Sequence, residues 1–274
     1  MNSLVSVVIR TKNREHQLRE ALVSVFEQTH KNFEIIIIDN SDSSNKDWIE
    51  SFFLFNNIPK DKFIYHRGIS VSSVQSLNIG ISKSNGEYIS FLDDDDTWLP
   101  TKLEEQIKLI REKTAVLVIC WSDDRRFNVG YTVKYPEKIT REMLLSWFNL
   151  ASTSCYLFDA EFLKNHERFD ESFPSVQEYE LAIRSSFPFS VFCVQRSLVI
   201  QNKSNDQITR DWKKKRQGMK LLLKKHKGLY MEKGIPSYIG FRLRFIGLQA
   251  LYLSAELIGD RIYKIIIPMK NRRG

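Results

Sequence analysis

The sequence predicts an α/β fold: a mostly parallel sheet flanked by helices, followed by a C-terminal helical, basic amphipathic extension. Three observations lead there. Short, continuously apolar and β-branched runs alternate with segments whose apolar residues recur at helical spacing. Two of the apolar runs end abruptly on aspartate, FEIIIID and YISFLD. Charge is also split along the chain. Of 41 Lys/Arg and 33 Asp/Glu, residues 203–274 hold 18 and 5, which leaves 23 basic and 28 acidic residues in 1–202.

The elements follow in order. VSVVI (5–9) reads as a buried strand, and Leu18, Ala21, Leu22, Val25 and Phe26 give 15–28 a helical face. FEIIIID (33–39) is a second strand, 47–55 a short helix and KFIYH (62–66) a third strand. Val71, Val74, Leu77 and Ile81 mark the next helix. EYISFLD (87–93) is a fourth strand running into Asp93, Asp94, Asp95 and Asp96; 100–111 is a helix and AVLVICW (115–121) a fifth strand. Residues 122–202 are less regular, although ASTSCYLFDAEFL (151–163) supplies one more strand. DWKKKRQGMKLLLKKHK (211–227) is a basic helix with Met219, Leu222 and Leu223 on one side. The uncharged stretch from Phe245 to Ala255 is 11 residues. That is too short to cross a bilayer and suited to lying in its interface. The expected division is a catalytic unit over 1–210, with halves 1–121 and 122–210, and a tail over 211–274.

Three scattered cysteines, Cys120, Cys155 and Cys193, form neither a disulfide framework nor a zinc-type spacing. The N-terminal run has no leader shape. Both features point to a cytoplasmic protein. An acidic body with a basic tail suggests contact with something anionic, either a lipid surface or nucleic acid.

Ligands of open α/β sheets bind at the carboxyl ends of strands, where Asp39 and Asp93–Asp96 fall. Closely spaced carboxylates repel one another and are expensive to bury unpaired. D-x-D at a strand end is a usual way to hold a hard divalent cation such as Mg²⁺ or Mn²⁺ that is shared with substrate phosphates. The plainer alternative is an acidic loop in which Asp95 or Asp96 caps the helix after Pro100. Neither a P-loop nor a dinucleotide glycine fingerprint is present.

VSVVIRTKNR, EIIIIDNS, LNIGISKSNGEYISFLDDDDTWLPTKLEEQ and RFDESFPSVQEYELAIR, in that order and spacing, resemble the family 2 glycosyltransferases. The resemblance covers about residues 3–210. It implies a Rossmann-like GT-A fold and an inverting transfer of the bacterial surface-polysaccharide type. It also carries roles onto matching residues. Thr11 and Arg14 would line the nucleotide pocket, and Asp39 would accept from the base, which favours a UDP-sugar. Asn78 would flank the phosphates and sugar, and Asp93 would contact ribose or donor sugar. Asp95 would bind the metal, Mn²⁺ or Mg²⁺. Asp94 and Asp96 would support the donor site, with Asp96 reaching the sugar. Trp98 would wall the sugar or acceptor, and Thr153 and Ser154 would touch the acceptor. Glu178 would be the base. Flanking Val176 and Tyr179 would desolvate it, although as a first-turn carboxylate it would equally serve the helix dipole.

The chain departs from the family pattern in places. Gln177-Glu178 replaces the usual Glu-Asp, and Leu77 stands where an arginine is frequent. Lys203 occupies the place of a metal-binding histidine, so it would pair with the diphosphate and metal binding without donor would be weak. The five histidines (16, 30, 66, 166 and 226) read as surface residues. QITRDW resembles the processive-synthase motif with its spacing off by one, and is read as coincidence. The expected partners are a nucleotide-sugar donor, a glycan or lipid-linked oligosaccharide acceptor, and an anionic membrane surface met by the tail on the inner face of the cell membrane. The apolar C-terminal helices would also serve a homodimer. Two other readings stand beside this one. A nucleotidyltransferase shares the sheet type but normally has a glycine-rich first loop. A nucleic-acid binder would use the basic tail, but no recognised module is present, so no nucleic-acid partner is expected.

Overall fold

β2 (Phe33–Asp39) is buried at every position, as a strand covered on both faces must be. It pairs in parallel with β1 (Val5–Thr11) and with β3 (Phe63–Arg67). β1 pairs in parallel on its other side with β4 (Tyr88–Asp93). The computed structural model describes residues 3–125, 130–147, 150–165, 168–202, 211–232 and 234–258. Its ten-stranded sheet has the order β3-β2-β1-β4-β9-β6-β10-β5, with β7 (Tyr131–Val133) beside β6 and β8 (Lys138–Ile139) beside β10. β6 is Leu117–Asp124, β9 Leu157–Asp159 and β10 Val191–Gln201. β9 runs antiparallel between β4 and β6, so the parallel half passes into a mixed one.

Helices cover the sheet. They are α1 (Glu15–Phe26), α2 (Lys46–Phe55), α3 (Ser73–Lys83), α4 (Lys102–Lys113), α5 (Arg141–Trp147), α6 (Ala160–Asn165) and α7 (Gln177–Ser185). α3 starts on a capping box: Ser72 accepts from the Gln75 amide, and the Gln75 side chain receives the Ser72 amide. It lies so close to β1 that a Cβ on Gly80 would sit 2.2 Å from Val8 Cγ1. This contact brings α3 down beside the carboxyl ends of β1 and β4.

The chain does not go straight from β4 into a helix. It turns through Asp94 and Asp95 into a short strand, β5 (Asp96–Trp98), antiparallel to the end of β10. Gln28 fixes the return: its side-chain nitrogen donates to the Leu99 carbonyl at 2.9 Å and its oxygen accepts from Leu103 N at 3.1 Å. α4 begins after Thr101, whose side chain makes no cap bond. The opening amides of α4 bond to other groups, Lys102 N to the Leu99 carbonyl at 3.1 Å and Leu103 N to Gln28 Oε1.

The basic segment is packed rather than free where it begins. α8 (Trp212–Lys225) buries Met219, Leu222 and Leu223, and α9 (Lys227–Met231) buries Tyr230. In α10 (Ile235–Ile258), Phe241 and Phe245 are buried, and Phe241 stacks on Tyr230 at 3.7 Å between centroids. Ile239, Leu243, Ile246 and Leu253 lie exposed at helical spacing. None of the described helices is long and apolar enough to cross a membrane.

Candidate active site at the acidic turn

The carboxyl ends of β1, β2 and β4 bring Thr11, Asp39 and Asp93 to one edge, and the turn after β4 adds Asp94, Asp95 and Asp96. Register makes this unavoidable: Thr11 pairs with Asp39, and Arg10 with Asp93.

The four aspartates divide by environment. Asp94 and Asp96 are buried, while Asp93 and Asp95 keep part of their side chains in the open. Asp94 accepts from Thr11 Oγ1 at 2.8 Å and pairs with Arg14 Nη1 at 2.9 Å. Burial pushes its carboxyl up, and Arg14 and Thr11 oppose that shift. Asp96 accepts from Ser154 Oγ at 2.6 Å, and the same hydroxyl accepts from Asp93 N at 3.1 Å. Ser154, expected to touch the acceptor, is fully buried and ties two members of the cluster together. Thr153 beside it is also buried. Trp98, expected to wall the sugar or acceptor site, is 3% exposed. Its Nε1 donates to the Ser154 carbonyl at 2.9 Å, and its ring covers the buried Lys102 ammonium at 3.8 Å. Burial lowers the Lys102 pKa to about 8. These three residues back the acidic turn from inside.

Asp93 is held by an arginine absent from the expected site. Arg10 grips Asp93 Oδ1 through Nε at 3.1 Å and Nη2 at 2.9 Å, and its Nη1 donates to the Ser73 carbonyl at 3.3 Å and to the Ser73 hydroxyl. Asp95 is different. Its partner is Arg14 Nη1 at 3.3 Å, which Asp94 shares more closely. Burial, then the charges of Asp93 and Asp94, push its carboxyl up to about 6. Such a shift marks a negative charge that its surroundings under-compensate, and a cation beside Asp95 would relieve it. Among the described residues, no group of three or more His, Cys, Asp or Glu is placed to hold a metal by protein ligands alone. The donor chemistry fits a divalent ion that takes one carboxylate here and fills its shell from water and phosphate.

Asp39 is fully buried and richly bonded. It receives Ser41 N at 2.9 Å, Asn45 N at 3.0 Å, Asn45 Nδ2 at 3.2 Å and the Tyr65 hydroxyl at 2.6 Å, and it pairs with Arg67 at 3.4 Å. Burial acts to raise its pKa, but the bonds from Ser41, Tyr65 and Asn45 outweigh it and hold the carboxyl low. Contact with a base requires exchange of one of these partners. Asn13, in the left-handed region at φ 54°, ties the loop after β1 to the loop after β2 through Ser41 and Asp42.

Asn78, expected beside the phosphates, uses its amide elsewhere. Its Nδ2 donates to the Phe169 carbonyl at 2.9 Å and to Glu171 at 2.8 Å, and its Oδ1 accepts from Phe169 N at 3.1 Å. It therefore joins α3 to the loop that leads to Glu178. Glu178 sits in the first turn of α7, half-buried. Burial raises its pKa, Arg10 and Lys215 lower it, and Asp93 raises it. These electrostatic neighbours place Glu178 in the field of the β1 and β4 ends. Lys203 lies outside the described residues.

Histidine placement departs from expectation too. His226 is buried against Glu180, His30 and His66 are half-buried, and His166 lies outside the described residues. The residues missed by sequence reasoning were Arg10, Tyr65, Arg67, Lys102 and His226. Arg10 offered a signal, as a lone charge at the end of an otherwise apolar strand.

The edge so built, with acidic strand ends on a mixed, mostly parallel, helix-flanked sheet, defines a GT-A-type fold. Solved structures of similar shape agree. The mannosyltransferase PcManGT of Pyrobaculum calidifontis, solved with GDP-Man and Mn²⁺, superposes with a TM-score of 0.67 at 14% identity, over 98% of this chain and 79% of that one. TarS of S. aureus, solved with UDP-GlcNAc, superposes with a TM-score of 0.65 at 16% identity, over 80% of this chain and 65% of that one.

Residues 6–171, more than half of the chain, match the model of Glycosyl transferase family 2, and the protein belongs to that family. An uncharacterized glycosyltransferase of Rickettsia typhi is 31% identical over 215 residues, 75% of this chain and 65% of that protein. WfaP of Escherichia coli, named as a UDP-Glc:α-D-GlcNAc-diphosphoundecaprenol β-1,3-glucosyltransferase, is 29% identical over 182 residues, 66% of this chain and 68% of that protein. The chain spans 65% of the length of the R. typhi protein and 57% of that of a second Rickettsia relative, from R. prowazekii.

Proposed function

We propose that the protein moves a sugar from a nucleoside-diphosphate donor, a UDP-sugar, to a hydroxyl of a glycan or lipid-linked acceptor, with inversion at the anomeric carbon. The observation that carries this reading is the pairing of environments at the sheet edge. Asp95 is a partly accessible carboxylate short of positive charge, and Glu178 is a desolvated carboxylate in the same field. One suits a cation shared with a diphosphate, and the other suits a general base.

The chain's own residues have these parts. Asp95 would hold a divalent ion, Mn²⁺ or Mg²⁺, which when bound supplies charge stabilisation to the departing diphosphate. Arg14 and Thr11 fix Asp94 and so set the turn that presents Asp95. Arg10 orients Asp93 toward the donor side. Glu178 accepts the acceptor's hydroxyl proton as that oxygen bonds to the anomeric carbon, while the bond from carbon to phosphate oxygen breaks and the nucleoside diphosphate leaves. Burial raises the Glu178 pKa and so makes it a stronger base, and the Arg10 charge opposes that rise. Lys203 would meet the diphosphate.

Family membership and the WfaP relative support sugar transfer, and with it a lipid-linked acceptor used in surface-polysaccharide assembly. They favour it over nucleotidyl transfer. The exposed lysines Lys213, Lys214, Lys220, Lys224 and Lys227, with the apolar stripe of α10, support contact with an anionic membrane surface. The test is a panel of nucleotide sugars with Mn²⁺. The expected result is release of UDP from a UDP-sugar, and pyrophosphate as the product instead would refute the proposal.

A further inference from the structure

The helix that carries Glu178 begins on a strained residue. Val176, a β-branched side chain, sits in the left-handed region at φ 61° and ψ 20°, and its side chain makes no cap bond. Such a conformation persists only where the surroundings impose it, and it is concentrated at functional sites. Here the surroundings are α8. A Cβ on Gly218 would lie 2.4 Å from the Ser175 carbonyl oxygen and 3.0 Å from Val176 Cγ2. Helix and loop touch so closely that glycine alone fits without displacement.

A second contact acts half a turn beyond Glu178. Glu180 is fully buried, and its carboxylate takes Arg184 Nε at 2.8 and 3.0 Å from within α7. It also meets two partners at the far end of α8: Lys225 Nζ at 2.9 Å and, just past the helix, His226 Nε2 at 3.1 Å. Lys225 reaches Asp170 as well, at 2.6 Å. Lys215, on the same helix, lowers the Glu178 pKa against burial.

We propose that α8 is a positioning element for the catalytic base: Gly218 seats the Ser175–Val176 turn, and Lys225 and His226 hold α7 through Glu180. This rests on Glu178 being the base. The basic segment then serves the active site directly, beyond any role as a tail.

The test uses the full chain carrying Gly218→Ala, His226→Leu or His226→Gln. Hydrogen–deuterium exchange is read at 175–180, and UDP release is followed with the donor that the panel identifies. Gly218→Ala should speed exchange at 175–180 and leave 5–11 and 88–93 unchanged. It should lower kcat by about 10- to 100-fold, the effect of an ångström-scale misplacement, with donor KM within about twofold. His226→Leu should act in the same direction. His226→Gln, whose side-chain amide can still donate to Glu180, should restore most of the rate. If Gly218→Ala does not fold, the His226 pair decides. Wild-type exchange and turnover in Gly218→Ala or His226→Leu would overturn the proposal, as would donor affinity and kcat falling together. Failure of the base assignment reads differently, as full activity in Glu178→Gln. An inactive Glu178→Gln beside a normal Gly218→Ala removes only the role of α8.

Discussion

At the scale of single residues, the candidate site is a problem in charge placement. Asp93, Asp94 and Asp95 are adjacent, and Arg10 and Arg14 are distributed so that Asp95 receives the least compensation. That inequality separates a supporting aspartate from one suited to a cation. Glu178→Gln keeps shape but cannot take a proton. It should lower transfer by about 10²–10⁴-fold while leaving UDP affinity unchanged, measured by product release and by calorimetry. Arg10→Met should move the acidic limb of the kcat–pH profile upward, because loss of the cation raises the pKa of Glu178. An unchanged limb would separate Arg10 from the base. Much of the site was legible, because carboxylates at the ends of apolar runs are visible in any strand pattern. The bonding of Ser154, Trp98 and Asn78 was not legible. Their polar groups are spent on partners 61, 56 and 91 residues away, and no local pattern carries that information.

At the scale of elements, β2 was legible to the residue because all seven positions are buried and, Glu34 apart, apolar up to the terminal Asp39. β10 was not. Its 11 residues include exposed Gln195 and Arg196 at an irregular register, which breaks the pattern by which strands are read. β5 was hidden because an acidic turn and a three-residue strand have no apolar run. α8 looked like a free basic helix, and only its buried Met219, Leu222 and Leu223 betrayed a packed face. Its attachment predicts a pH dependence. Burial tends to raise the Asp170 pKa, but Lys225 and Ser172 hold it at about 2. A carboxyl lowered on folding contributes stability that is present above its unfolded value and lost as pH falls through the folded one. The stability of the wild type should therefore decline between about pH 4 and pH 2 in part through this pair. Lys225→Met should flatten that part of the curve in denaturant titrations. An identical slope would show that the pair contributes nothing.

At the scale of the whole molecule, the acidic sheet and the basic C-terminal segment divide the work. In the proposed function, the parallel half presents its strand ends to the donor. The C-terminal helices present lysines on α8 and an exposed stripe of Ile239, Leu243, Ile246 and Leu253 on α10. Co-sedimentation with anionic vesicles should be strong at low salt and weaken as salt rises, and neutral vesicles should bind much less. Equal binding to both would leave charge without a role. A gel shift with DNA that persists at the same salt would favour a nucleic-acid partner.

The proposed function depends most on Asp95 holding a divalent ion that would stabilise the leaving diphosphate. Manganese located by anomalous diffraction in crystals grown with UDP measures this directly. The predicted result is a single peak bonded to an Asp95 oxygen and to the diphosphate, with Glu178 facing the vacant sugar position. Manganese and nucleotide bound elsewhere, with the turn after β4 making no contact, would contradict it.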